Sequence, residues 1–102
     1  MTEKEKMLAG QLYYACDPAL KDELNVCKDA IQHYNSLKPS DLQARTRALQ
    51  ALLGACDDDV FINQPFYCDY GKHIRVGKRF FANFHCTILD EAYVTIGDDA
   101  FI

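Results

Sequence analysis

Phe80-Phe81-Ala82-Asn83-Phe84-His85-Cys86-Thr87-Ile88-Leu89-Asp90-Glu91 decides the fold, because it lies in the middle of a run of six-residue repeats that fills the second half of the chain. Counting back in sixes from Ile88 meets Ala82, Val76 and Tyr70. A second register two residues earlier meets Cys86, Phe80, Ile74, Cys68 and Ile62. A period of six is out of step with a helix of about 3.6 residues per turn and too long for a lone strand. It fits a parallel β-helix, in which each short strand sends two residues inward and then turns a corner. Three repeats close a triangular coil, so Cys68 and Cys86 are expected one above the other. After Ile88 both registers skip by eight, to Val94 and Ile96, and resume at Ala100 and Ile102. Two extra residues are therefore expected at one corner, around Leu89 to Tyr93.

Gly71, Gly77, Asn83 and Gly97 each follow an inward position, and these are residue types that accept a left-handed backbone at a corner. Pro65 and Leu89 depart from that rule. Gln64 breaks the inward register, so the first repeat reads as irregular.

The first half is helical in pattern. Thr2 and Glu5 have the spacing of a capping box, opening a helix expected to run to about Cys16 with Leu8, Leu12, Ala15 and Cys16 on one face. Asp17-Pro18 supplies an N-cap and a proline at the first helical position, and Leu20, Leu24, Cys27, Ile31 and Tyr34 follow a helical spacing, so a second helix is expected to about Leu37. Pro39-Ser40 restarts the chain, with Gln43 placed to complete another capping box. Leu42, Leu49, Leu52 and Leu53 form the third helix's stripe, and Gly54 is its expected terminator. Asp57-Asp58-Asp59 reads as a solvated loop. The fold expected is α+β, with a helical segment over 2–55 and the first coils of a β-helix over 60–102, incomplete at Ile102.

Composition narrows the partners. A net charge of -4 and the lack of any basic stripe argue against nucleic acid. The first residues lack the apolar stretch of a signal peptide, and no stretch is long enough to span a membrane, so a cytoplasmic protein is expected. The five cysteines are odd in number and contain no C-x-x-C pair, which favours reduced core thiols over a disulfide framework or a zinc site. No metal site is expected.

Lys6-Met7-Leu8-Ala9-Gly10-Gln11-Leu12-Tyr13 resembles the opening of the maltose and galactoside O-acetyltransferases. Cys68-Asp69-Tyr70-Gly71, Phe80-Phe81-Ala82-Asn83-Phe84 and Thr95-Ile96-Gly97-Asp98 resemble the start of their hexapeptide-repeat domain, in the same order. The resemblance implies a left-handed β-helix and acetyl-CoA as donor. It also implies a sugar hydroxyl as acceptor, and a homotrimer with active sites in the clefts between subunits. The family's base is a histidine in a later coil, before a proline, which would lie beyond Ile102; the segment alone is then expected to be inactive.

By the same resemblance, Asn83 matches an asparagine beside the reacting centre, where a side-chain amide donates to the developing oxyanion; as a left-handed corner residue it also has a purely structural reading. Asp69 matches a small polar or acidic residue facing the acceptor, Phe81 an aromatic lining its pocket, and Asp90 and Glu91 the acidic acceptor contacts. Phe84 is expected at a subunit interface. Ala15 and Leu24 stand where galactoside-type members carry charged acceptor contacts, which leaves the acceptor open. The structural readings beside these are solvated loop carboxylates and trimer packing. His33 reads as a surface residue, and His73 and His85 as outward-facing on different sides of the triangle, with His85 a remote substitute for the missing base. The alternative class is a non-catalytic oligomerisation or binding module; a metal-dependent hydratase ranks below both.

Overall fold

The computed structural model describes all 102 residues, as three helices followed by six short strands. Helix α1 spans Glu3–Leu8, α2 Pro18–Ser36 and α3 Leu42–Leu52. The strands are β1 Phe61–Ile62, β2 Phe66–Cys68, β3 Ile74–Val76, β4 Phe81–Ala82, β5 Cys86–Ile88 and β6 Val94–Ile96. The Thr2 capping box forms as expected, with the Glu5 amide on the Thr2 hydroxyl and the Glu5 carboxylate on the Thr2 amide, both at 3.1 Å. The helix stops well short of Cys16. Gly10 turns left-handed at φ 76°, and Gly10 N–H on Met7 O with Gln11 N–H on Lys6 O closes the end. Leu12, Ala15 and Cys16 are accordingly exposed, and Met7 is the residue α1 buries, against Leu20 and Tyr70.

Helix α2 matches its sequence pattern closely. Asp17 caps it, Pro18 opens it, and Leu20, Cys27, Ile31 and Tyr34 are buried along one side. For α3 the cap is Asp41, whose carboxylate accepts from Ala44 N–H at 3.2 Å, and not the expected Ser40–Gln43 box. Aspartate one residue nearer the helix reaches the orphan amide directly. Leu49, Leu52 and Leu53 are buried, whereas Leu42 faces solvent.

The strands pair in parallel as β1–β4, β2–β5 and β3–β6, with Phe61 opposite Phe81, Phe66 opposite Cys86 and Ile74 opposite Val94. Every pair is 20 residues apart, the pattern of a parallel β-helix with a 20-residue coil. Cys68 therefore lies opposite Ile88, and the expected stacking of Cys68 on Cys86 does not occur. The two-residue insertion is present in both coils, at 69–73 as well as 89–93. Tyr70 consequently leaves the inward register for the α1 side, and Phe66 takes the inward place that Gln64 failed to fill. The Gln64 amide instead donates to the Tyr34 and Leu37 carbonyls, both at 2.9 Å, closing the end of α2.

The corners also differ from expectation. Left-handed backbone occurs at Gly71 and at Arg79, His85 and Asp99, whereas Gly77, Asn83 and Gly97 have no positive φ. Gly77 is needed for space: a Cβ there would come within 2.3 Å of Asp98 Oδ1 and 2.7 Å of its backbone nitrogen. Carboxylates steady the stacked corners, Asp98 accepting from Lys78 N–H at 2.7 Å and Asp59 from Arg79 N–H at 3.0 Å.

Helices and coil share one core, built from Cys27, Ile31, Tyr34, Leu49, Leu52 and Leu53 together with Ile62, Phe66, Cys68, Ile74, Val76 and Phe80. The helical half also closes the coil's lower backbone edge on each side of the triangle. Tyr34 Oη and Arg45 Nη2 donate to Ile62 O at 2.5 and 2.8 Å. The Asn35 amide accepts from Phe66 N–H at 2.9 Å and donates to Phe66 O at 3.1 Å. Gly54 N–H donates to Ile74 O and Val76 N–H to Ala55 O, both at 2.9 Å. Gly54 also lies so close beneath Lys72 that a Cβ would meet its carbonyl oxygen at 2.3 Å. Buried strand edges need such partners, and here a mix of helix side chains and one extended segment supplies them.

Candidate functional site

The two inserted corners, 69–73 and 89–93, stack on each other and gather three of the singled-out carboxylates. Asp90 is fully buried; its Oδ1 accepts from Asp69 N–H at 3.1 Å and Tyr70 N–H at 2.8 Å. Its Oδ2 has no hydrogen-bond partner, and its backbone carbonyl lies 2.7 Å from His73 Nδ1. In this chain Asp90 thus fastens one corner to the other. Asp69, one coil below, and Glu91, next to Asp90 in the chain, are half-buried and are the carboxylates left at the surface. Burial pushes the Glu91 carboxyl up to about 7, helped by a hydrogen bond to the Asp69 side chain and by the Asp69 charge. Tyr70, beside them, is pushed up to about 12 by burial and then by the Glu91 charge. None of the chain's three ion pairs involves this corner, so no lysine or arginine offsets the carboxylates.

His73, expected outward, is buried at 4% exposure. Its ring lies between Tyr70 and Tyr93, with centroids 5.1 and 5.3 Å away, and Arg75 covers the outer face of Tyr93. The insertion is the cause: the extra residues at 69–73 fold His73 back over the corner instead of leaving it on a strand face. His33 and His85 are exposed, as expected.

Phe81 and Asn83 lie at another edge, where β4 ends. The Phe81 ring stacks on Phe61 at 5.6 Å with an interplanar angle of 2° and meets Phe101 edge-on at 5.7 Å. Asn83 is exposed, and its Oδ1 accepts from Asn63 Nδ2 at 3.3 Å, one coil below. That bond orients the amide and leaves Asn83 Nδ2 as a donor without a partner in the chain. Phe84 is 64% exposed. No hydrogen bond or ring contact joins this edge to the carboxylate corner, and strand β5 runs between them.

A groove of about 640 Å³ runs along α2 beside Asp69, lined by Lys28, Gln32, Asn35, Tyr67 and Leu89. Beneath it Cys68 meets Cys27 of α2, with sulfurs 3.6 Å apart. Sequence patterning found both cysteines as apolar core positions but had no means of pairing them. Arg45, buried with its guanidinium 4.7 Å from the Phe61 ring centroid, was likewise hidden, because charge on a helix ordinarily reads as a solvated face. No helix is long and apolar enough to cross a membrane.

Residues 6–57 match the family model of the maltose acetyltransferase hexapeptide capping motif. The chain is 40% identical to, and superposes with a TM-score of 0.97 on, a maltose O-acetyltransferase from Clostridium difficile 630, covering 99% of this chain and 54% of that one. A galactoside acetyltransferase solved in complex with coenzyme A gives 29% identity and a TM-score of 0.88, over 95% of this chain and 48% of that one. Nodulation protein L from Rhizobium meliloti (strain 1021) is 41% identical over 97 residues, 95% of this chain and 53% of that protein. The chain spans about half the length of the curated relatives it matches.

Proposed function

This chain belongs to the family marked by the maltose acetyltransferase hexapeptide capping motif, and we propose that the protein carrying it transfers an acetyl group from acetyl-CoA to a sugar hydroxyl, these residues supplying the acceptor half of the site. The helical stretch 2–55 acts as the acceptor-side domain, and 60–102 forms the first coils of a left-handed β-helix. The protein works as a homotrimer in the cytoplasm. The later coils supply the coenzyme grip and the histidine base, so this segment alone is inactive.

One observation carries the reading: Asn83 presents an oriented, unpartnered amide N–H₂ because its carbonyl end is tied to Asn63. A donor fixed in advance stabilises the negative charge that appears on the thioester oxygen when an acceptor hydroxyl attacks it. Asp69 and Glu91 are acceptors for sugar hydroxyls at the stacked corner, and Phe81 offers an apolar face to the ring. Asp90 contributes indirectly, by holding the Asp69 backbone. Residues on two edges of one triangle meet in one site when neighbouring copies lie side by side, which is the role of the trimer.

The test is to incubate the full-length protein with acetyl-CoA and a panel of mono- and disaccharides, following thiol release and product mass. An O-acetylated sugar is expected. A folded protein that binds acetyl-CoA and acetylates no sugar would overturn the proposal in favour of a non-catalytic binding or oligomerisation module.

A further inference from the structure

We propose that Cys27 and Cys68 are an oxidation site, a thiol pair that closes to a disulfide and staples helix α2 to strand β2. Their sulfurs are 3.6 Å apart, and Cys27 Sγ is also 3.6 Å from the Cys68 carbonyl oxygen. Both are buried, at 2% and 6% exposure, and no other two of the five cysteines come within hydrogen-bonding reach of each other. A disulfide needs the sulfurs at about 2.05 Å. The remaining approach is within the range of side-chain rotation combined with a small slide of α2.

The pair is buried yet not sealed. Cys68 borders the groove beside Asp69, and Cys27 borders a second hollow, of about 230 Å³, between Val26, Tyr70 and Lys72. A small oxidant such as hydrogen peroxide therefore reaches the thiols from either side. The contact also divides their roles: hydrogen bonding from Cys68 pulls the Cys27 thiol down, and the same bond with burial pushes Cys68 up. The Cys27 thiolate attacks one peroxide oxygen, the O–O bond breaks, and hydroxide leaves to take up a proton as water. The Cys68 sulfur then attacks the sulfenic sulfur of Cys27, the S–O bond breaks, and the departing hydroxide takes the Cys68 proton as a second water. Two thiols lose two electrons and peroxide gains them.

The consequence falls on the carboxylate corner. Cys68 immediately precedes Asp69, so the bridge fixes α2 against the backbone that Asp90 holds from above. It also closes a long loop through α3 and β1, which restricts the unfolded chain and raises the melting temperature by roughly 10 °C or more.

The experiment exposes the folded full-length protein to hydrogen peroxide, blocks remaining thiols with iodoacetamide and maps the peptides by mass spectrometry, with melting measured before and after. The expected result is a Cys27–Cys68 linked peptide in most chains, reversal by dithiothreitol, and a melting rise absent in Cys27→Ser and retained in Cys16→Ser. If Cys27→Ser does not fold, the wild-type peptide map decides alone. Recovery of Cys27 and Cys68 as alkylated thiols while Cys16 is oxidised would overturn the proposal, as would a linked peptide only after denaturation. None of these readouts depends on acetyl transfer.

Discussion

Asn83 and Glu91 show how much a single position can be read from sequence. Asn83 was singled out through its motif, and the left-handed corner conformation expected of it does not form. The left-handed residue of that corner is His85. What orients Asn83 is Asn63 one coil below, a partner 20 residues away that no local pattern reveals. On the oxyanion role proposed above, Asn83→Ala is expected to lower kcat about a hundredfold or more, with little change in KM or melting temperature, because such a donor acts on charge present only in the transition state. Steady-state kinetics beside a thermal melt check this. Glu91 gives a pH test. Its carboxyl binds a proton near pH 7 when folded, against an ordinary value of 4.5. The folded state therefore holds the extra proton between those values, and this residue's contribution to stability declines as pH rises from about 4.5 to about 7. Glu91→Gln removes that decline, so its melting temperature minus that of the wild type is expected to grow with pH across this window and to be positive at pH 8. Asp90→Ala leaves the Asp69 and Tyr70 amides without their acceptor and is expected to cost about 2–4 kcal/mol in denaturant unfolding, with Asp90→Asn milder because one acceptor oxygen survives.

Among the elements, helix α2 and the repeats were readable because each has one strong period. The 3.6-residue spacing from Leu20 to Tyr34 and the six-residue registers through Ile74, Val76, Phe80 and Ala82 mark buried residues. Element ends were less legible, because they are set by single contacts: Gly10 stops α1, Asp41 starts α3, and the second insertion at 69–73 was masked when Tyr70 and Cys68 happened to fit an unbroken count of six. The helical half was expected as an acceptor-side segment, and it also supplies hydrogen bonds to the coil's lower edge. Asn35 is the clearest case, with both ends of its amide on Phe66. Asn35→Ala leaves a half-buried backbone amide and carbonyl without those partners, and a loss of about 1–3 kcal/mol is expected in urea unfolding. An unchanged midpoint would mean that water replaces the amide without cost.

For the whole molecule, the decisive fact is that the singled-out residues fall into two groups on one chain. Asp69 and Glu91 sit at the inserted corner, while Phe81 and Asn83 sit where β4 ends, with strand β5 between them. A single triangle keeps its edges apart, so one acceptor site built from both groups requires neighbouring copies. The most direct test is complementation with the full-length protein. Asn83→Ala and Glu91→Ala variants, each assayed alone and then co-assembled by unfolding and refolding together, are compared for acetyl transfer from acetyl-CoA to a sugar. On the proposed site between copies, some clefts of a mixed assembly bring the two native residues together, so activity well above that of either parent is the expected result. A mixture no more active than its parents, despite demonstrated exchange of subunits, would contradict a site shared between copies.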